Sequence, residues 1–254
     1  MSFHQLHHAA LPLVLPNAWD VASALAFVDA GFPAVGTTSF GVAAGGGRPD
    51  GGRSTKEATL TLVRLLAPMP GYLSVDIEDG YDDDPDRVTE YVAELGVAGI
   101  NIEDSADGRL IAAEQHAAKI TAIKRRCPDL FVNARIDSYW LAQDATVEAT
   151  LDRAAAYLAA GADGIFIPGV TDPVELRELT GHIDAPVNVL VVPELSLTDL
   201  AELGVRRVST GSLPYRRAID AAVEVASCVR DGRSVPSATS YHEMQRRLLR
   251  FQRR

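Results

Sequence analysis

Eight short apolar, β-rich runs recur along the chain with helix-forming stretches between them, and this alternation restricts the fold more than any other feature. The runs are Leu13-Leu15, Ala34-Thr38, Leu73-Ile77, Gly99-Ile102, Leu130-Ala134, Gly164-Ile167, Val187-Val191 and Arg206-Ser209. Amphipathic stretches lie between them at Val21-Ala30, Asp86-Leu95, Ala112-Arg126, Val147-Ala160, Val174-Leu179 and Thr198-Leu203. Eight strand-helix units in about 220 residues is the arithmetic of a (β/α)8 TIM barrel. The local punctuation agrees. Gly31, Gly96, Gly161 and Gly204 stand between a helix and a strand, where a residue with φ > 0 ends a helix. Asp84-Pro85 and Asp172-Pro173 each read as an N-cap followed by proline in the first helical turn. The rival fold, a doubly wound open sheet, lacks the strand-associated GxGxxG turn that would open it.

A chain of 254 residues fits one barrel domain spanning 1–254, with 213–254 left over as C-terminal helices. The second of these, Ser240-Phe251, carries Tyr241, Met244, Leu248 and Phe251 near one face, so 213–254 is expected to join subunits into a homo-oligomer, a dimer or tetramer. A net charge of -10 argues against a nucleic-acid or anionic-membrane partner, and the arginines at 246, 247, 250, 253 and 254 read as a solvated helix end. Two cysteines far apart, Cys127 and Cys228, form neither a disulfide framework nor a zinc motif. No stretch approaches eighteen uninterrupted apolar residues, and the N-terminus lacks a basic region followed by an apolar run, so a cytoplasmic protein is expected.

In a barrel, chemistry belongs at the C-terminal ends of the strands. Those positions carry Asn17, Trp19, Thr38, Ser39, Asp50, Asp76, Glu78, Glu103, Asn133, Arg135, Asp137, Asn188 and the Thr210-Gly211-Ser212 turn. Two runs, Ser74-Val75-Asp76-Ile77-Glu78-Asp79 and Gly99-Ile100-Asn101-Ile102-Glu103-Asp104, deliver carboxylates to neighbouring strand ends. A hard cation such as Mg²⁺ or Mn²⁺ takes oxygen ligands of this kind, and both runs could supply them. Arg135 is the strand-end arginine in this acidic set and the expected clamp for a small-molecule carboxylate. None of Lys56, Lys119 and Lys124 ends a strand, which disfavours a Schiff base. The six histidines lie in the N-terminal arm, in helices or before the seventh strand, so a strand-end histidine base is absent too.

The run Pro16-Asn17-Ala18-Trp19-Asp20-Val21-Ala22-Ser23-Ala24, the segment from Ala30 to Ala44, Pro49-Asp50-Gly51-Gly52, and the blocks at 76–81, 99–104 and 133–137 resemble the isocitrate lyase and phosphoenolpyruvate mutase superfamily, in order from about residue 13 to 215. The resemblance implies a Mg²⁺-dependent barrel that makes or breaks a bond beside a 2-oxo acid through an enolate-like species. It also implies residue roles. Asp76 matches the direct metal ligand, with Glu78 and Glu103 near the metal through water. Asp50 matches an acid approaching metal and substrate, and Arg135 the carboxylate clamp. Thr38 and Ser39 match a carboxylate- or oxyanion-binding turn, and Trp19 an aromatic wall. Asp50, Arg135 and Glu103 are thus the expected catalytic residues, and Trp19, Thr38, Ser39, Arg135 and Asn188 the expected substrate contacts.

The chain departs from that pattern in three places, one of them the end of strand six, Ile167-Pro168-Gly169, where many members place an acid or histidine. The segment Glu103-Asp104-Ser105-Ala106-Asp107-Gly108-Arg109-Leu110 passes almost directly into the next helix, where lyases of the superfamily carry a mobile Lys-x-Cys-Gly loop. Glu78 also replaces an aspartate with a side chain one methylene longer. The expected activity is therefore a C–C bond lyase, decarboxylase or hydrolase on a small 2-oxo or 2-hydroxy dicarboxylate. Phosphonomutase-type C–P chemistry and a lid-less barrel that binds such acids with little catalysis are the alternatives.

Overall fold

A computed structural model describes residues 1–253, so Arg254, the last of the C-terminal arginines, lies outside the described residues. Its strands are β1 (Leu13–Leu15, resumed after Pro16 as Asn17–Ala18), β2 (Ala34–Thr37), β3 (Tyr72–Asp76), β4 (Gly99–Glu103), β5 (Phe131–Arg135), β6 (Gly164–Phe166), β7 (Val187–Leu190) and β8 (Val205–Ser209). All pair in parallel with their sequence neighbours. Leu13–Leu15 also pairs with β8, which closes the sheet into a barrel. The closure runs through Pro16. The stretch before it hydrogen-bonds only to β8 and the stretch after it only to β2, and the Pro16 carbonyl accepts Gly36 N–H at 2.8 Å. A residue without an N–H suits the point where one strand changes partner.

The strand period of two sorts the side chains. Val75, Ile77, Ile100, Ile102, Val132, Ala134 and Ile136 are fully buried and belong to the main apolar cluster with the helices outside the sheet. Each fully buried valine or isoleucine among them stabilises the fold by about 1.5–3 kcal/mol. The alternate set is polar: Ser74, Asn101, Asn133 and Arg207 meet inside the barrel, where Arg207 donates to Asn101 Oδ1 at 3.1 Å and Asn133 to the same oxygen at 2.8 Å. Continuing each strand by two residues carries the polar row to the barrel mouth as Asp76, Glu103 and Arg135.

The helices are α1 (Val21–Asp29), α2 (Ser39–Gly45), α3 (Lys56–Leu66), α4 (Pro85–Leu95), α5 (Ala113–Arg126), α6 (Ser138–Leu141), α7 (Val147–Ala159), α8 (Pro173–His182), α9 (Leu197–Glu202), α10 (Leu213–Arg230) and α11 (Tyr241–Gln252). Helix α4 shows the local logic. Asp84 caps its N-terminus, proline opens it, Val88, Tyr91, Val92 and Leu95 form its buried face, and Gly96 ends it at φ 60°. Short α2 sits in a glycine-rich run that reads as loop. It forms because Thr38 caps it and because Gly41 lets Trp19 approach: a Cβ at Gly41 would lie 2.8 Å from the Trp19 Cβ.

Helix α11 returns to its own barrel. Phe251 packs on the cluster of Ala18, Ala24, Val35, Leu62, Leu66 and Met69, and Arg247 Nε lies 3.0 Å from Asp29. Tyr241 and Leu248 of the expected stripe stay exposed, as do Ile219, Val223 and Val229 of α10. No described helix is long and apolar enough to cross a membrane.

Candidate active site

The strand ends open into a cavity of about 780 Å³ whose walls include eight carboxylate side chains and three arginines, an excess that favours a cationic occupant. Asp76, at the end of β3, is buried. Its Oδ2 accepts Ser39 N–H at 3.1 Å, and its own N–H goes to Thr37 Oγ1 at 2.9 Å. Burial pushes the Asp76 carboxyl above its usual range; Arg135 and the Ser39 N–H oppose the shift, and Asp50 adds to it. Glu103 ends β4 in an ion pair with Arg135. Burial raises its carboxyl well above the ordinary value against the pull of Arg135, with Asp76, Asp137 and Asp50 adding to the rise.

Arg135 is fixed on all sides. Its Nε donates to Asp137 Oδ1 at 2.6 Å, Nη1 pairs with Glu103, and the guanidinium lies 5.7 Å from the Phe166 ring centre and 5.9 Å from that of Trp140. Against the burial that disfavours its charge, the carboxylates of Glu103, Asp137 and Asp76 hold Arg135 protonated. Asp137 is set in turn by Asp104, which accepts its backbone N–H at 2.8 Å. Asp104 is fully buried and points away from the mouth, with Tyr157 Oη at 2.7 Å and Arg153 Nη1 at 2.9 Å.

Several sequence expectations change here. The three acids expected to converge do not: Glu78 turns aside at φ 49°, and its carboxylate accepts Arg53 N–H at 2.8 Å and the Thr55 hydroxyl at 2.5 Å. Among the described residues no three His, Cys, Asp or Glu side chains are grouped to hold a metal. The longer glutamate side chain reaches past the mouth to the neighbouring loop, and Glu103 is drawn to Arg135. Trp19 does not line the cavity; it packs edge-on against Tyr215 at 5.4 Å, and the aromatic walls are Phe40, Trp140 and Phe166. Asn188 lies one layer below, donating to Ser209 Oγ at 3.0 Å. Thr38 and Ser39 do line the cavity, but Thr38 Oγ1 caps α2 and Ser39 N–H is spent on Asp76. Asp50 lines the mouth and is exposed.

The residues still fit a divalent cation. Asp76, buried, and Glu103, half-buried, share one wall; burial holds both toward the neutral form, Asp50 adds to the rise of each and Asp76 to that of Glu103, and a bound cation would restore their charge. The segment after β4 is a two-residue hairpin, Ser105–Ala106 against Arg109–Leu110, turned by Asp107 (φ 49°) and Gly108 (φ 73°). Ser105 Oγ donates to Asp137 at 2.5 Å, and Gln143 holds both Leu110 N–H and the Gly108 carbonyl. Sequence reasoning missed Arg53 and Lys119 as site residues. Lys119 is only 2% exposed and donates to the Asp79 carbonyl at 2.8 Å. The signal was available, since a lysine on the apolar face of α5 must find an acid.

Known proteins match this architecture. The family model described as phosphoenolpyruvate phosphomutase covers residues 3–230. "Uncharacterized protein Rv1998c" of Mycobacterium tuberculosis (strain ATCC 25618 / H37Rv) is 56% identical over 254 residues, covering 100% of this chain and 98% of the relative. The 2-methylisocitrate lyase of Bacillus subtilis (strain 168) is 33% identical over 200 residues, 73% of this chain and 64% of the lyase. Among solved structures, a putative lyase/mutase from Burkholderia cenocepacia J2315 superposes with a TM-score of 0.87 at 33% identity, over 96% of this chain and 93% of that one. Phosphonopyruvate hydrolase in complex with oxalate and Mg²⁺ superposes with a TM-score of 0.82 at 25% identity, over 100% of this chain and 99% of that one. The barrel, its acidic mouth and these matches agree: the chain belongs to the phosphoenolpyruvate phosphomutase family, within the isocitrate lyase and phosphoenolpyruvate mutase superfamily of enzymes.

Proposed function

We propose that the protein is a Mg²⁺-dependent enzyme that acts on a small 2-oxo or 2-hydroxy dicarboxylic acid through an enolate-like intermediate, as a C–C bond lyase, decarboxylase or hydrolase. The observation that carries this reading is the juxtaposition of buried Asp76 and half-buried Glu103 with a caged, charged Arg135 at the floor of one cavity. Asp76 and Glu103 would hold the cation, Mg²⁺ or Mn²⁺, with Asp50 and Glu78 close by. A cation there would supply electrostatic stabilisation of an enolate oxygen.

The chain's own residues do the rest. Arg135 spends two of its five N–H donors on Asp137 and Glu103, so others remain for a substrate carboxylate. Phe166 and Trp140 flank the guanidinium beside those donors. Asp50 is placed to move a proton at the substrate's reacting carbon or oxygen, because it lines the mouth and is open to solvent.

The anchored hairpin at 105–110 is too short to fold over the mouth, which leaves that side wet. A wet enolate is soon protonated, and this favours decarboxylation or hydrolysis over a mutase that must shelter a fragment between two bond-making steps. The free Cys127 and Cys228 suit a reducing cytoplasm, and the exposed apolar residues of α10 and α11 suit a homo-oligomeric contact.

The test incubates Mg²⁺-loaded protein with oxaloacetate, with alkylated malates and citrates, and with phosphonopyruvate, following pyruvate, oxalate and phosphoenolpyruvate. Pyruvate or oxalate release from a C–C substrate is the expected result. Conversion of phosphonopyruvate to phosphoenolpyruvate would overturn the wet-site argument. Tight oxalate binding without turnover would leave a binding protein.

A further inference from the structure

We propose that Arg53 is the positioning residue that delivers Asp50 to the reaction, and that the 46–55 loop, not the segment after β4, is the part of the rim that opens and closes. The inference rests on the proposed acid-processing site, in which Asp50 handles the proton.

Among the described residues the Asp50 carboxylate takes no hydrogen bond from any other, so only its backbone aims it. The N–H groups of Gly46, Gly47 and Arg48 fold onto the end of α2 and Arg48 Nη1 donates to the Ser54 carbonyl at 2.8 Å, but from Pro49 to Gly52 no backbone N–H is held by the rest of the described residues. Residues 45–50 are exposed, and a Cβ added at Gly45, Gly47, Gly51 or Gly52 would meet nothing within 4 Å. Immediately after Asp50, three consecutive residues adopt the left-handed region: Gly51 at φ 84°, Gly52 at φ 66° and Arg53 at φ 59°. The first two do so freely, but an arginine there is disfavoured and persists only when its surroundings hold it.

The surroundings do hold it. Arg53 N–H donates to Glu78 Oε2 at 2.8 Å. Its Nε lies 3.0 and 3.1 Å from the two Asp79 oxygens, and its Nη2 contacts Asp79 Oδ2 at 2.5 Å and also Asp83. Asp79 is 3% exposed and cannot swing, because Lys119 pins it from behind. Thr55 completes the clasp on Glu78. Glu78, expected from the sequence near the metal, and its neighbour Asp79 are thus the dock for the Asp50 loop. A bidentate arginine on a buried carboxylate is geometrically specific, so the clasp fixes a position and does more than attract. Across the mouth, the 105–110 hairpin is tied at both ends and has no comparable freedom.

The test uses the full-length, Mg²⁺-loaded protein and hydrogen-exchange mass spectrometry on peptides covering 46–55, beside oxaloacetate kinetics and calorimetry with oxalate. In Arg53→Ala, exchange in 46–55 should quicken about tenfold while strand peptides stay unchanged. Its kcat should fall about tenfold with KM moved less than about threefold, and oxalate should still bind. Arg53→Lys should restore part of kcat. Asp83→Asn, at a side chain that is 89% exposed and carries no folding risk, should shift exchange and kcat the same way by about two- to threefold. Unchanged exchange in Arg53→Ala, or faster exchange with unchanged kcat, overturns the proposal. If the wild type turns over none of the acids, the functional reading fails by itself. The exchange comparison then still decides whether Arg53 holds the loop.

Discussion

Glu103 and Arg135 are register partners on adjacent parallel strands, and their side chains meet as an ion pair across the cavity floor. The register makes this pairing obligatory once the barrel forms, and Asp137 two residues on completes a cage around the guanidinium.

Truncating Arg135 should therefore cost more than one substrate contact, because it strands two carboxylates. We expect Arg135→Ala to lose about 2–4 kcal/mol in transition-state binding, roughly 30- to 1000-fold in kcat/KM. Arg135→Lys should remain well below wild type because it cannot span Glu103 and Asp137 together. Steady-state kinetics check this, and near-native values in either variant would make the residue structural.

Asp76 should carry the metal. Asp76→Ala should lose at least about tenfold in Mg²⁺ affinity by calorimetry. Glu78→Gln should lose far less, because Glu78 is already engaged by Arg53 and Thr55. Equal affinities in Asp76→Ala and wild type would remove the assignment.

The two buried histidines should withdraw stability on mild acidification, a contribution opposed by the raised carboxyls of Asp76 and Glu103. Burial, then Arg207, lowers His7 from 6.5 to about 3; burial, then Lys119 and Arg153, lowers His116 from 6.5 to about 3. Both stay neutral in the folded state, while in the unfolded chain each takes up a proton near its usual value. Stability from this source is whole above pH 6.5 and is lost as pH falls toward 3, at about 1.4 kcal/mol per pH unit for each histidine. Between about pH 7.5 and about pH 5.5 the urea-unfolding midpoint should fall further, or rise less, in the wild type than in His116→Phe. A profile as steep in the variant as in the wild type would contradict this origin.

The C-terminal helices should hold subunits together. A chain ending at Pro236 keeps α10 but loses α11, and light scattering should find it smaller in assembly as well as in mass. Retention of the native subunit number would leave α11 as no more than the cover it makes for the α1 and α3 cluster.

The barrel was legible because polar and apolar residues alternate so strictly along β3, β4 and β5 that the same pattern marks strand, face and mouth. Asp84-Pro85 and Gly96 fixed α4 to within a residue at each end. Helix α2 was hidden by its glycines, whose reason, the close approach of Trp19, is a contact between elements and leaves no local trace. The site was legible by position and less so by partner. Asp76 and Arg135 could be placed at strand ends from sequence, but where a long side chain such as Glu78 turns depends on Arg53 and Thr55, which approach it from another loop. Trp19 misled because a residue just past a strand end can tilt outward onto a helix, as it does onto Tyr215.

The division of β1 at Pro16 has a bearing on how the chain reaches its fold. Asn17 rivets the seam: its N–H meets Thr210 Oγ1 and its Oδ1 takes Gly211 N–H, partners 193 and 194 residues away. During synthesis the first strand can find β2 early, yet its other half must wait for nearly the whole barrel to leave the ribosome. Until then Leu13–Leu15 is an unpaired strand edge, open to a second nascent chain. Closing so long a loop is an entropic obstacle met late, so the seam should set the slowest step of folding and be the first place to part under load.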